Sequence, residues 1–285
     1  MRRRHLRTVL AAAFAVQSSL LVLQPAASNA AANPGVDVLA VRSSSDHDVS
    51  LVAALHPMPL APLDRKTVTA TAGGADLPTD VTPVLSGRTG IGLVIDASAD
   101  GAAALHDGGL SGAAGFLLQM PPGARTAVVA DRRPPAVAAR TAVGVSAALQ
   151  ATSGVTSTGA RATSEALTLS VRQLPAWPGS QPVLVLFTAA PDAGGEAASA
   201  LGERLQGAHA ILAVITTSAD SGYWSRVATS TGGFAISTRP AQAITAFDAA
   251  ADALRARYQV TFTRPRTAAT QATLRFDAAG RQTVV

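Results

Sequence analysis

Residues 90–100 read Gly90-Ile91-Gly92-Leu93-Val94-Ile95-Asp96-Ala97-Ser98-Ala99-Asp100. The run from Gly90 to Ile95 has none of the apolar/polar alternation of a half-exposed strand and ends abruptly on an aspartate. Such a pattern fits a strand buried on both faces, the situation in a parallel sheet with helices above and below it. Residues 102–120 then read as one helix rich in small side chains, stopped by Pro121 and Pro122.

Further along, the same alternation of apolar runs and helical stretches repeats. ARTAVVAD (124–131) is a second strand, and PAVAA (135–139), preceded by proline, is a weak third one suited to a sheet edge. QPVLVLFTA (181–189) and AILAVIT (210–216) are buried strands, and FAIST (234–238) is a short one. Between them lie helices predicted at 143–151, 164–174, 193–206, 224–230 and 241–256, the fourth only a turn or two long. Strands alternating with helices over some 170 residues predict a three-layer α/β sandwich with a mostly parallel central sheet. Ligands of such sheets bind at the carboxyl ends of the strands, which directs attention to the residues after IGLVI, VLVLF and ILAVI.

The flanks have a different texture. From Val36 to Leu85, the runs VDVLAV, VSLVAAL, KTVTATAGG and DVTPVL have a period near two and no helical stripe, and Pro57, Pro59 and Pro62 divide them. They predict a small β-rich segment. At the other end YQVTFTRP and TQATLRF predict two strands pairing as a hairpin across RPRTAA. The expected organisation is a signal peptide at 1–30, a β-rich segment at 31–88, the α/β domain at 89–265 and a C-terminal strand or tail at 266–285.

Composition narrows the functional classes. The 285 residues include no cysteine, which removes disulfides, thiol catalysis and thiolate zinc sites. The net charge of +5 is concentrated in the first seven residues, where Arg2, Arg3, Arg4 and Arg7 stand. Without those four, 19 basic residues face 18 acidic ones, and no basic surface for nucleic acid is expected from composition. The start MRRRHLRTVLAAAFAVQSSLLVLQPAASNAAA has a positive head, an apolar core and small residues at Ser28 and Ala30. This is the pattern of a cleaved secretory signal, with retention as an anchor as the alternative. No second segment is apolar and long enough to span a bilayer, so the mature chain is expected outside the cytoplasm without a transmembrane helix.

After the first buried strand, Asp96, Ser98 and Asp100 offer oxygens at alternate positions, a set suited to a hard cation such as Mg²⁺ or Ca²⁺. Asp and Ser in that place also cap helices, and Asp100 before Gly101 and three alanines fits that role. Both readings stay open on chemistry alone. His47 between two aspartates reads as an exposed turn. Tyr223 and Trp224, at the same end of the sheet as this loop, are candidates for contact with a protein partner, with core packing as the alternative for the tryptophan. Trp177, between two prolines, is expected over the edge of the sheet.

A buried strand ending in Asp96-Ala97-Ser98 within this order of elements resembles the von Willebrand factor type A domain, whose metal-ion-dependent adhesion site begins with Asp-x-Ser-x-Ser. ALTLSVRQL (166–174), LVLFT (184–188) and ATSTGGFAIS (228–237) are similar to later parts of the family, and the resemblance runs from Gly90 to about Thr263. It implies a Rossmann-like topology and binding rather than turnover, through a divalent cation bridging to an acidic residue of a partner. The carry-over is incomplete. Asp96 and Ser98 match, Asp100 stands where a second serine is usual, Arg161 falls on the family's threonine, and Ala190 replaces the distal aspartate. Asp192 reaches the site only through a shifted loop, and Thr158 and Thr163 are out of register. Arg161 therefore suggests a further option, in which its guanidinium pairs with Asp96 or Asp100 in the space a metal would take. The site is accordingly expected to be degenerate, with no resident cofactor and at most weak Mg²⁺ or Ca²⁺ binding.

No enzyme is expected. His56, His106 and His209 have no partners by spacing, Ser111 in GLSGAAG lacks the strand that a nucleophile elbow needs, and STGARATS lacks the ending of a phosphate loop. The expected function is an extracytoplasmic binding or adhesion module of a bacterial cell envelope with an unidentified protein partner. The alternatives are a structural domain of an envelope assembly and an unrecognised α/β hydrolase.

Overall fold

A computed structural model describes residues 35–43, 48–56, 63, 67–174, 181–263, 272–276 and 281–284. The segment 1–30 expected to be a signal peptide, His47, the three prolines at 57, 59 and 62, and Trp177 lie outside the described residues. The described residues form one compact unit.

At its centre is a six-stranded sheet of β6 (Gly90–Asp96), β7 (Arg125–Asp131), β8 (Ala136–Val143), β9 (Val183–Thr188), β10 (Ile211–Thr216) and β11 (Phe234–Ser237). Its order is β11-β10-β9-β6-β7-β8. Every neighbouring pair is parallel except β7 with β8, so the proline-preceded run takes the edge and reverses direction. β6, β9 and β10 are buried at every position, which is why their sequences carry no alternation.

Helices cover both faces. The face with α2 (Leu110–Leu118), α3 (Ser146–Ser153) and α7 (Ala243–Arg255) takes Ile91, Leu93 and Ile95 of β6 together with Phe116, Phe187 and Phe247. The face with α4 (Thr163–Gln173), α5 (Ala198–Gly207) and α6 (Gly222–Ser230) takes Val94, Leu184, Leu186 and Trp224. The helix expected unbroken over 102–120 is three pieces: a short α1 (Ala102–Ala104), a π-helical turn (Leu105–Gly109) and α2. Gly108, at φ 155°, permits the break, because a side chain there would be strained and would meet the carbonyl of Pro240. Helix α3 begins at Ser146 rather than Val143 because Val143 ends β8.

The flanking strands fold together. β1 (Gly35–Ser43), β2 (Asp48–His56), β5 (Thr79–Pro83) and β12 (Arg257–Thr263) make one sheet in the order β1-β2-β12-β5. β3 (Val68–Ala72), β4 (Ala75–Leu77), β13 (Thr273–Phe276) and β14 (Arg281–Val284) make another, in the order β14-β13-β3-β4. The hairpin expected between YQVTFTRP and TQATLRF does not form. β12 lies between β2 and β5, whereas β13 pairs with β3 and β14. The reason is burial: Tyr258, Val260 and Phe262 of β12 share a core with Leu51, Ala53 and Leu55 of β2 and with Leu274 and Phe276 of β13, which places β12 and β13 in two facing sheets.

Two arginines, Arg42 half-buried and Arg257 buried, hold this β-rich part to the α/β part. Arg42 of β1 donates to the carbonyls of Ala210 and Thr231, and Arg257 of β12 donates to Gly232 and Ala253 while stacking on Phe234. Burial pushes the Arg257 guanidinium down to about 10. Among the described residues no helix is long and apolar enough to cross a membrane.

Candidate functional site

The carboxyl ends of β6, β7 and β9 bring Asp96, Asp131 and Thr188 together. Asp96 is 1% exposed and Asp131 fully buried, and the parallel register sets the two side by side. Buried carboxylates require hydrogen-bond donors or opposite charge, and each here has its own set.

Asp96 receives donors on both oxygens. Its Oδ1 accepts from the backbone N–H of Ser98 (3.2 Å) and from the Ser98 hydroxyl (2.5 Å). Its Oδ2 accepts from Arg161 Nε (3.1 Å) and Nη2 (3.0 Å), from the Ala189 N–H (3.0 Å) and from the Thr188 hydroxyl (3.3 Å). Arg161 is itself 20% exposed. The guanidinium lies on Asp96 and not on Asp100, which is exposed at the loop tip. Nor does Asp100 cap the following helix: the N-cap position of α1 is Gly101, without a side-chain hydrogen bond, and it is Ser98 Oγ that accepts from the Gly101 N–H (3.2 Å).

Asp131 was not singled out by the sequence reading, and it holds the start of α4. Its Oδ1 accepts from the Ala162 N–H (2.8 Å) and its Oδ2 from the Thr163 hydroxyl (2.5 Å). These bonds fix the loop that presents Arg161, with help from Thr158 N–H on Ala97 O and Ala99 N–H on Gly159 O. Burial pushes the Asp131 carboxyl up to about 6, opposed by the donors from Thr163 and Ala162, while the charge of Asp96 adds to the rise. A legible signal did exist: Asp131 ends the second buried strand just as Asp96 ends the first.

The far wall of the site is the segment 189–196. Asp192 accepts from the Gly194 N–H (2.7 Å), so it closes its own turn. Glu196 takes Arg204 on both oxygens (3.3 and 2.7 Å) and the Ser164 hydroxyl on Oε2 (2.5 Å). Burial pushes its carboxyl up, yet Arg204 and Ser164 outweigh that and leave it below the usual glutamate range. Tyr223 donates to the carbonyl of Glu196 (2.9 Å), and its hydroxyl is pushed up to about 12, first by burial and then by the nearby charges of Glu196 and Asp192. Trp224 is completely buried and donates to Ala190 O (2.8 Å), so it supports the 190s loop and offers no surface to a partner. Between these walls lies a cavity of about 330 Å³ bordered by Arg133, Arg161, Ser164, Asp192 and Glu196.

A cation in the place the family resemblance implies would need free oxygen lone pairs turned to one point. Asp96 has donors on both oxygens, Ser98 is engaged with Asp96, Thr163 with Asp131, and a guanidinium occupies Asp96 Oδ2. The donor set does not fit a divalent metal. Among the described residues, no three His, Asp or Glu side chains are grouped so as to hold one. His56, His106 and His209 are all exposed and lie far apart in the element order, and Ser111 stands inside α2 rather than at a strand end.

No family model and no curated relative matches the chain by sequence. Solved structures match by shape. The von Willebrand factor type A protein from Catenulispora acidiphila is 13% identical with a TM-score of 0.53, over 88% of this chain and 71% of that one. Proximal thread matrix protein 1 of the mussel byssus, solved with zinc in its MIDAS motif, is 14% identical with a TM-score of 0.54, over 64% of this chain and 49% of that one. BatB from Bacteroides thetaiotaomicron is 10% identical with a TM-score of 0.50, over 58% and 97%. At these identities the likeness is one of fold.

Proposed function

We propose that this chain, which has the fold of a von Willebrand factor type A domain, is an extracytoplasmic protein-binding or adhesion-type module of a bacterial cell envelope that works without a metal bridge. The observation that carries the metal-free part is the Arg161 guanidinium on Asp96 Oδ2, where it supplies the positive charge to a carboxylate that is otherwise surrounded by neutral donors. A tethered cation needs no ion from solution, and Arg161 borders the cavity between α4 and the 190s loop. Export is supported by the arginine-rich, apolar start of the sequence. Binding rather than turnover is the reading that the family resemblance favours.

One observation favours a structural role within an envelope assembly as the second reading. The α/β part is inserted between strands that come from both ends of the chain and close into one β-rich unit, a construction that ties the domain firmly to what flanks it. Calorimetric titration of the mature protein with Mg²⁺ and Ca²⁺ tests the first reading. No heat up to millimolar ion is expected, and a micromolar dissociation constant that disappears in Asp96→Ala overturns it.

A further inference from the structure

The charges of the chain are unevenly placed. Residues 121–174, which contain β7, β8, α3 and α4, carry Arg125, Arg132, Arg133, Arg140, Arg161 and Arg172 against Asp131 and Glu165 alone. The rest of the chain beyond residue 30 carries 13 basic and 16 acidic residues. Asp131 is buried, Arg161 is paired with Asp96, and Glu165 faces Arg133 at 3.8 Å. What is left projecting at this side of the molecule is positive, on an otherwise slightly negative body.

The same side carries an open sheet edge. β8 is outermost in the central sheet, and no other described strand pairs with its outer flank. Beside it, between the end of β8 and the end of α4, runs a groove of about 520 Å³ bordered by Arg125, Thr141, Val143, Arg172 and Leu174. Val143 is 65% exposed, Arg140 and Arg172 are exposed, and neither arginine enters an ion pair among the described residues. The groove lining thus sets Val143 and Leu174 beside Arg125 and Arg172, and Arg140 directly precedes the lining residue Thr141 on β8.

We infer that this groove is a second interaction surface, distinct from the Asp96 site, and that it receives an acidic extended segment of a partner protein. Guanidinium groups favour carboxylates through paired hydrogen bonds and charge. A second copy of the same edge is disfavoured, because it would bring arginines against arginines, and arginine on an edge strand is one way that such self-pairing is avoided. β8 also shifts register twice against β7, which bends the edge away from a long regular ladder and leaves side-chain charge as the main source of attraction. Single-stranded nucleic acid, the other polyanion of this size, is bound through aromatic side chains that stack on bases, and none is among the described residues that line the groove. The inference is independent of the metal-free reading of the Asp96 site, and either can fail alone.

The test is fluorescence anisotropy of the mature protein with a short labelled peptide of alternating glutamate and valine, beside the same peptide with lysine for glutamate and an oligothymidylate of equal charge. The acidic peptide is expected to bind, the lysine peptide not to, and the affinity to fall several-fold when salt is raised from about 50 to about 300 mM. In Arg140→Glu combined with Arg172→Glu, binding is expected to drop at least about tenfold with an unchanged far-UV spectrum. Should that variant lose its fold, Arg140→Gln and Arg172→Gln singly are expected to weaken binding by about two- to threefold each. Failure of the acidic peptide to bind, or binding indifferent to these substitutions, overturns the inference. Oligothymidylate binding as tightly as the acidic peptide overturns the class of partner.

Discussion

Arg161 directs two nitrogens, Nε at 3.1 Å and Nη2 at 3.0 Å, onto the single oxygen Oδ2 of Asp96. The carboxylate is 1% exposed and the arginine side chain 20%, so the pair is shielded from solvent on one side and open on the other. Breaking such a pair leaves the buried member uncompensated, and this costs more than the intact pair contributes. Four neutral donors remain on Asp96 and soften the loss. Arg161→Ala is expected to lower unfolding free energy by about 1–4 kcal/mol, read as a lower denaturant midpoint at unchanged slope. A midpoint equal to that of the parent protein would show that the guanidinium is solvated in solution.

Asp131 gives a pH dependence of definite sign. Its carboxyl is raised from 3.8 to about 6 in the folded state. Between those values the folded protein binds more protons than the unfolded one, and stability falls as pH rises through the window. A shift of this size corresponds to about 3 kcal/mol at most. Other carboxylates contribute slopes of their own, so the readout is a difference. Between pH 4 and pH 7 the parent protein is expected to lose stability relative to Asp131→Asn, whose side chain does not titrate. Parallel denaturation curves for the two proteins at each pH would refute the assignment.

Gly101 stands against the same carboxylate. Its φ of −83° is open to any residue, so the backbone is not what requires glycine. A Cβ there would lie 2.5 Å from Asp96 Cγ and Oδ1, atoms that cannot yield without loosening Ser98 and Arg161. Gly101→Ala is expected to cost about 1–3 kcal/mol by overpacking, in contrast to the small gain that alanine brings at an unobstructed helix start. Thermal or chemical denaturation measures it, and an unchanged or higher stability would mean that the loop carries Asp96 differently.

How legible this arrangement was depends on range. The strands β6, β9 and β10 were readable because burial on both faces leaves a continuous apolar run, and the edge position of β8 followed from its proline. The partition of β12 and β13 between two sheets was not, since both have hairpin-like spacing and their partners β2 and β3 lie some 200 residues away. The π-helical turn at Leu105–Gly109 was hidden by a helix pattern rich in small residues that fits several geometries. At the site, Asp96 stood out through its place after a buried strand. Asp131 occupies the equivalent place on β7, yet its role depends on hydrogen bonds to Ala162 and Thr163, thirty residues on, which no local pattern encodes. For Trp224 the sequence left contact with a partner and core packing both open, because an aromatic beside a loop fits either, and its full burial with the indole N–H on Ala190 O is the packing case.

If Arg161 stands in for a cation, removing its charge while supplying an oxygen should let a cation in. Arg161→Thr takes away the guanidinium from Asp96 Oδ2 and leaves a hydroxyl on the loop that Asp131 continues to hold through Ala162 and Thr163. Asp96 and Ser98 are unchanged, and Asp96 Oδ2 keeps only the neutral donors of Ala189 and Thr188. Ala190 still offers no carboxylate, so the oxygen set stays small and the site carries less negative charge than strong Mg²⁺ or Ca²⁺ sites do. A weak site is therefore expected. Calorimetry of Arg161→Thr with Mg²⁺ or Ca²⁺ should show binding with a dissociation constant of about millimolar, against no heat in the parent protein. The ion should also restore part of the stability lost in the variant, because a ligand that binds only the folded state raises its unfolding free energy. Equal silence from parent and variant would mean that the loop geometry, and not the arginine, keeps cations out, and equal binding by both would mean that Arg161 never occupied the cation's place.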